Sequence, residues 1–199
     1  MPNMPRRFPG EAIKATGAEY CAHGGPTGLA SVSVALAPFE FNGEMLATSL
    51  RCDGIELDFD DFSGLASRSL LFPPNPEPGY IDGSIYLLGV HVFFITSRLT
   101  FGEIGDETIP LGIEGTLEFG SSGLTRYEDA RLRIETELRL PLTAAQIASI
   151  AADAVEASGA QSPRDIGKVM ARLANDPRAA GRMAELGAEI RRRLGKIAD

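Results

Sequence analysis

The residues best suited to catalysis or metal binding are few and widely spaced. Cys21 and Cys52 are the only cysteines of the chain, and His23 and His91 are the only histidines. A structural zinc site takes four such ligands, usually in closely spaced pairs, so a site here would need all four to converge. Two reduced, buried thiols are the simpler interpretation, and the sequence predicts neither a metal nor another cofactor.

A run of acidic residues is the second candidate for chemistry. Glu56, Asp58 and Asp60 alternate with apolar residues, so one strand face would present three carboxylates about 7 Å apart. Oxygen ligands suit calcium or magnesium, but a flat strand spreads them along a line instead of wrapping them round an ion. We therefore expect these carboxylates to pair with Arg131 and Arg133 across strands, or to face water.

The two histidines favour a protein that is not an enzyme. His91 lies in the apolar stretch LLGVHVFFI, where we expect a buried, hydrogen-bonded side chain. His23 lies in the glycine-rich stretch AHGGPTG, which lacks the spacing of a phosphate-binding loop and a following helix. Because nucleophilic catalysis by serine or threonine needs a base beside the hydroxyl, two histidines in such contexts favour a binding role.

Five basic residues near the end of the chain are candidates for nucleic-acid binding. Arg164, Lys168 and Arg172 recur every four residues and would lie along one side of a helix, and Arg178 and Arg182 repeat this spacing on the next helix. Such a row can follow a phosphate backbone with salt-dependent affinity. A solvated helix face, neutralised by nearby glutamates, is the competing interpretation, and the lack of aromatic residues after position 141 favours it.

The elements that would position these residues change type near position 141. Before it, short runs alternate apolar and charged residues, as in Leu132, Ile134 and Leu138 within RLRIETELRL. This period of two is typical of strands with one buried face. Such runs are predicted at 30–37, 44–51, 54–62, 67–72, 84–88, 90–101, 112–119 and 131–140. Seven to nine short strands without helical periodicity indicate an antiparallel β-sandwich or β-barrel, and the pattern does not choose between them.

After position 141 the apolar period becomes 3.6, which predicts three helices. The first ends at Gly159, a residue suited to the left-handed conformation beyond a helix. The second begins at Ser162, with Asp165 three residues later, as in a capping box. The third is predicted from Asp176 to about Lys196.

The predicted fold class is therefore α+β, in three segments. Residues 1–17 form an N-terminal arm, 18–141 an antiparallel β-domain and 142–199 a small three-helix domain. The net charge of −8 is unevenly divided, since residues 1–141 hold 10 basic and 20 acidic side chains and the remainder holds 9 and 7. The acidic body would repel nucleic acid, so an RNA-binding surface should face away from it.

The segment GAQSPRDIGKVMARL and the residues after it resemble the GatB/YqeY tail domain. The matching residues are Gly159, Ala160, Ser162, Asp165, Gly167, Lys168, Val169, Met170, Gly181, Arg182 and the closing IRRRLG. That module ends the amidotransferase B subunit that matures misacylated tRNA, and it also forms free-standing YqeY proteins. The resemblance implies that residues 142–199 face tRNA. Gly167 costs a helix up to about 1 kcal/mol, which favours close approach of another backbone there.

Two functions follow from these patterns. The first is an interaction protein, in which the β-domain carries a helical tail that docks tRNA, another RNA or a protein partner. The alternative is a lipocalin-like barrel that binds a small ligand, with the tail as lid or homodimer contact. A barrel filled by Phe39, Phe59, Phe93, Phe94 and Phe101 would argue against the alternative.

The chain has the pattern expected of a cytoplasmic protein without a membrane partner. No stretch reaches the roughly 18 consecutive apolar residues that span a bilayer. The first residues include two arginines but no apolar run behind them, unlike a secretory signal.

Overall fold

The computed structural model describes residues 5–21, 28–56, 62–105, 107–179 and 182–197. The chain divides into two compact units between Pro141 and Leu142. The first unit is a β-barrel and the second contains three helices, which confirms the predicted α+β class. Of the two architectures that the sequence allowed, the body adopts the barrel.

Ten strands lie in the described part of the first unit. They are β1 (Ala15–Cys21), β2 (Ala30–Leu36), β3 (Phe39–Phe41), β4 (Glu44–Leu46), β5 (Ser49–Ile55), β6 (Ser69–Leu71), β7 (Asp82–Leu87), β8 (Val90–Phe101), β9 (Thr108–Glu118) and β10 (Ala130–Arg139). Seven strands close the barrel in the order β8-β7-β5-β2-β1-β10-β9, because β8 pairs with both β7 and β9. β6 pairs with the second half of β8, and β3 and β4 form a separate hairpin.

One pair of neighbouring strands in the barrel is parallel. β1 lies beside β10 through the pairs Ala18–Leu138 and Glu19–Arg139, whereas every other neighbouring pair in the ring is antiparallel. Strand directions cannot alternate all the way round a ring with an odd number of members. A closed barrel of seven strands must therefore contain at least one parallel pair, and the β1–β10 pair departs from the predicted antiparallel pairing.

The alternation in the sequence separates the core from the outer surface. In β10, Leu132, Ile134 and Leu138 are buried, and Arg131 and Arg133 are exposed, as predicted. Since successive side chains of a strand point to opposite faces, the same rule fills the barrel from every strand.

The described interior of the barrel is packed with side chains. Phe39, Phe94 and Phe101 are at most 4 % exposed within it. Phe93, by contrast, is only half-buried, and Phe59 lies outside the described residues. Three of the five rings that were expected to fill the barrel therefore lie in its described core.

The N-terminal segment before β1 contributes to the barrel core. Phe8 is 2 % exposed, and its ring centroid lies 5.5 Å from that of Phe41 and 5.1 Å from that of Phe119. The backbone of Arg6 forms a bridge beside Tyr127. These contacts tie the segment to the barrel, and β1 itself begins inside the predicted arm.

The second unit, called the helical unit below, is built from α1 (Ala144–Ser158), α2 (Ile166–Leu173) and α3 (Met183–Ile197). The predicted apolar stripes form its core. The buried members are Ile150, Ala151, Ala154, Val169, Leu173, Leu186, Ile190 and Leu194. No helix of the described residues has both the length and the apolar character required to cross a membrane.

Local signals set the ends of α1. Thr143 and Gln146 form a capping box, in which the Gln146 N–H donates to Thr143 Oγ1 at 3.2 Å and the Thr143 N–H donates to Gln146 Oε1 at 2.8 Å. Gly159 ends the helix in the left-handed conformation with φ of 62°, which confirms its predicted role.

The third helix begins later than predicted. The Asp-Pro signal at residue 176 starts only a 3-10 turn, Pro177–Ala179, and α3 begins at Met183. Asp176 Oδ1 accepts the N–H of Arg178 at 2.9 Å, so its capping capacity is used within that turn. Residues 180 and 181 lie outside the described residues.

Candidate nucleic-acid interface

Three of the five candidate basic residues lie on one continuous stretch of the helical unit. Arg164 belongs to the 3-10 turn Pro163–Asp165, which runs directly into α2, where Lys168 and Arg172 follow. All three side chains are exposed. Their four-residue spacing places them along one side of this stretch, here called the α2 basic face.

Asp165 organises the start of this face. Its carboxylate accepts hydrogen bonds from Lys168 Nζ at 2.8 Å and from the N–H groups of Gln161 and Ser162, each at 3.2 Å. These donors, Lys168 first, favour the charged form and lower the pKa of Asp165 to about 2. The capping role predicted for Asp165 is therefore confirmed, and the Lys168 ammonium is held beside the turn.

The pH dependence of the helical unit should reflect this carboxylate. The pKa of Asp165 is lowered from 3.8 to about 2 in the folded state, so its stabilisation is present above pH 3.8 and is lost as the pH falls through 2. We expect Asp165→Asn to lower the thermal midpoint of the helical circular-dichroism signal at pH 7, and the difference from wild type to become much smaller at pH 2.

The comparison between the two proteins isolates Asp165 from other acidic groups. Asp176 and Glu189 also have lowered pKa values, because Arg178 and Arg192 respectively bind them, and both carboxylates remain in the variant. An equal difference in midpoint at pH 2 and pH 7 would show that the charge of Asp165 contributes nothing to the stability.

Unlike Arg178, whose guanidinium group binds two carboxylates, Arg164 and Arg172 have no ion-pair partner among the described residues. Neither makes an ion pair or a side-chain hydrogen bond with any residue that the structure describes. Gly167 lies between them in sequence and is exposed, and no heavy atom lies within 4 Å of the position a Cβ would take. The expected approach of another backbone to Gly167 is therefore not made within the described chain.

Arg178 and Arg182 do not form a second basic row on α3. Arg178 Nη2 donates to Asp176 at 2.8 Å and Nη1 to Asp153 at 3.0 Å, so its guanidinium ties the turn before α3 to α1. These carboxylates raise the pKa of Arg178. Arg182 is half-buried and lies immediately before α3. Its backbone carbonyl accepts a hydrogen bond from the N–H of Leu186.

The predicted neutralisation of α3 is confirmed at one glutamate. Glu189 accepts hydrogen bonds from Arg192 Nη2 at 2.6 Å and from Arg193 Nε at 2.9 Å. Its side chain is only 13 % exposed, so both cations bind it at the edge of the helical core. Glu189 thus offsets one positive charge of α3, as Asp165 offsets that of Lys168 on the α2 basic face.

The histidine interpretation from the sequence is wrong for His91. The side chain is exposed because the alternation along β8 turns Val92 towards the core and His91 outwards. Its ring centroid lies 5.1 Å from those of Tyr86 and Phe93 on the outer surface. His23 lies outside the described residues.

The ion pairs in the structure also differ from those expected for the acidic run. Arg133 Nη1 lies 3.6 Å from Glu114 Oε1, because its strand β10 neighbours β9 and β1 and not β5. Arg133 Nη2 also lies 2.8 Å from Glu135 Oε1, two residues along β10 itself. Glu56 is exposed, in agreement with the alternative that these carboxylates face water, and Asp58 and Asp60 lie outside the described residues. Among the residues that are described, no three or more His, Cys, Asp or Glu side chains are grouped so that they could hold a metal.

The two thiols have different surroundings. Cys52 is fully buried in the barrel with its Sγ 3.5 Å from Thr96 Oγ1, and burial raises its pKa to about 11. Cys21 is exposed, contrary to the expected burial of both.

Comparisons of the chain with family models, with curated proteins and with solved structures find no match.

Proposed function

We propose that this chain is a non-catalytic binding protein whose helical unit docks tRNA or a similarly folded RNA through the α2 basic face. The observation that carries the proposal is the pair of exposed, unpaired guanidinium groups of Arg164 and Arg172. Phosphate oxygens can bind such groups without displacing an internal carboxylate. The resemblance of residues 142–199 to the GatB/YqeY tail domain supports tRNA as the RNA.

The composition of the helical unit favours contacts with phosphate and sugar over contacts with bases. Residues 142–199 include no aromatic side chain on which an unpaired base could stack. A double-helical part of a folded RNA can be bound by its shape and backbone alone. We therefore propose that the face binds an RNA stem. The Lys168 ammonium, held by Asp165, contributes less than Arg164 and Arg172, which are in no ion pair with the described residues.

The experiment measures binding of the full chain to fluorescent tRNA at several salt concentrations. Changing both Arg164 and Arg172 to Glu should weaken binding by at least about tenfold and reduce the salt slope by about two. The matched control changes Arg191 and Lys196 to Glu. These α3 residues are also exposed, and the substitution alters the net charge by the same amount. It should weaken binding far less.

Three results would contradict the proposal. They are absence of tRNA binding at low salt, an affinity that does not depend on salt, and equal losses in the α2 and α3 variants. Equal losses would assign any binding to net charge, since the two variants differ only in where the charge is reversed. In the absence of tRNA binding, the remaining candidate for this face is a protein partner.

A further inference from the structure

The wall of the barrel contains a cleft of about 550 Å³ beside β6. β6 and β7 follow each other along the same side of β8, and the chain leaves the wall between them. β7 pairs with β5, but β6 pairs only with β8 among the described strands. The cleft therefore lies between the free edge of β6 and the residues around the end of β5, from Asp53 to Glu56.

The free edge of β6 presents unpaired backbone groups. The Phe101 N–H donates to the Arg68 carbonyl at 2.8 Å, and the Phe72 N–H donates to the Ser97 carbonyl at 3.0 Å. In an antiparallel ladder alternate residues bond to the partner strand, so the N–H and C=O groups of Ser69 and Leu71 point away from β8. No described strand pairs with them. Such an edge is a template for another strand.

The surroundings of this edge combine apolar and acidic character. The side chain of Leu71 is 70 % exposed and adds apolar surface at this edge. The described residues that line the cleft include three carboxylates, Asp53, Glu56 and Asp82, and no lysine or arginine. Arg51 neutralises Asp53 at 2.8 Å from outside the lining, whereas Glu56 and Asp82 have no such ion pair among the described residues.

We propose that the cleft binds an extended peptide with basic side chains, which adds to β6 as a further strand. Its backbone would pair with Ser69 and Leu71, while alternate side chains reach the carboxylates of Glu56 and Asp82. Backbone pairing selects a peptide over other cationic molecules. The carboxylates repel nucleic acid, so this surface is distinct in chemistry from the α2 basic face.

The test uses fluorescein-labelled synthetic peptides and the full chain. The probe alternates valine with lysine, a second peptide has glutamate in place of lysine, and a third has N-methyl groups on the backbone nitrogens of its valines. We expect saturable binding of the first peptide, with affinities at least about tenfold lower for the other two. Failure of the lysine peptide to bind, or equal binding of all three, would overturn the proposal.

Substitutions in β6 and in the cleft test the same contacts on the protein instead of on the peptide. Leu71→Pro removes the outward N–H without removing a hydrogen bond to β8, and should weaken binding of the lysine peptide by about tenfold. Leu71→Ala is the matched control, since it keeps that N–H, and should have the smaller effect. Changing Glu56 to Gln together with Asp82 to Asn should remove the preference for lysine over glutamate.

The variants also separate loss of the site from loss of the fold. In each variant the Cys52 thiol should remain protected from a water-soluble thiol reagent, because it is accessible only after the barrel opens. A protected Leu71→Pro protein that binds the lysine peptide as tightly as Leu71→Ala would rule out strand addition at β6. If the variant with both Glu56→Gln and Asp82→Asn still preferred lysine over glutamate, these two carboxylates could not be the groups that bind the lysine side chains.

Discussion

Replacing Gly83 with alanine is expected to lower the free energy of unfolding of the barrel by about 3 kcal/mol or more. A Cβ on Gly83 would lie 2.0 Å from the carbonyl oxygen of Phe94 and 2.9 Å from Thr96 Oγ1. The nearer atom belongs to the backbone of the adjacent strand β8, so no side-chain rotation can relieve the overlap. β7 and β8 would have to separate where they now pair.

On the other side of β8, strand β9 also approaches the backbone around Phe94 closely. A Cβ on Gly115 of β9 would lie 2.5 Å from the ring of Phe94 and from the carbonyl oxygen of Ile95. The register between β8 and β9 shifts just beyond, between Thr96 and Arg98. Glycine on both neighbouring strands therefore allows the wall to bend tightly around Phe94.

Gly112→Ala is the matched control for Gly83→Ala. Gly112 also lies in a barrel strand, but its nearest potential contact is 3.6 Å away, at Thr100 Cβ. Alanine there should be neutral or stabilising by up to about 1 kcal/mol, because it restricts the unfolded chain. Urea unfolding followed by tyrosine fluorescence measures both variants. All four tyrosines precede position 141 and the chain lacks tryptophan, so the signal reports the barrel alone. Equal stability of Gly83→Ala and Gly112→Ala would contradict the close approach of Gly83 to the carbonyl oxygen of Phe94.

Truncating Phe8 to alanine is expected to cost the barrel about 3–5 kcal/mol. The ring is 2 % exposed and contacts Phe41 and Phe119, which in turn contact Tyr127. Its removal would leave a cavity among rings that belong to distant parts of the chain. The N-terminal segment would then lose its main apolar anchor, so Phe8→Ala tests whether this segment is part of the barrel core.

Two measurements separate this effect from a general change at the N terminus. Arg7→Ala alters the neighbouring exposed residue and should change the unfolding free energy by no more than about 0.5 kcal/mol. In a Cys21→Ser background, the reaction rate of the Cys52 thiol should rise in Phe8→Ala and not in Arg7→Ala, because opening of the barrel limits that reaction. Similar rates in the two proteins would show that Phe8 does not stabilise the closed barrel.

The candidate interface was partly predictable because some of its interactions are local. The pairing of Asp165 with Ser162 and Lys168 spans three residues in either direction and follows from capping geometry. The Arg178–Asp153 contact spans 25 residues and depends on how α1 packs against the turn before α3. The sequence therefore gave no reason to set Arg178 apart from Arg164, although only one of them is paired in the structure.

The peptide cleft shows the same division between local and distant causes. Periodicity predicted strands around Ser69–Leu71 and Val90–Phe101. It did not indicate that β6 would lack a neighbour on one side among the described strands, since that depends on where β5 and β7 pair. The side chain of Leu71 is exposed because the alternation along β6 turns Leu70 towards the core and Leu71 outwards.

The sequence by itself determined the change from period two to period 3.6, the cap at Ser162 and Asp165 and the end of α1 at Gly159. These features depend on the conformations of residues a few positions apart. Only the tertiary structure decided that seven strands close a barrel, that Arg178 reaches Asp153 and that Arg164 keeps an unpaired charge. Each of these depends on which distant segments become neighbours, and the alternation within one strand is compatible with many such pairings.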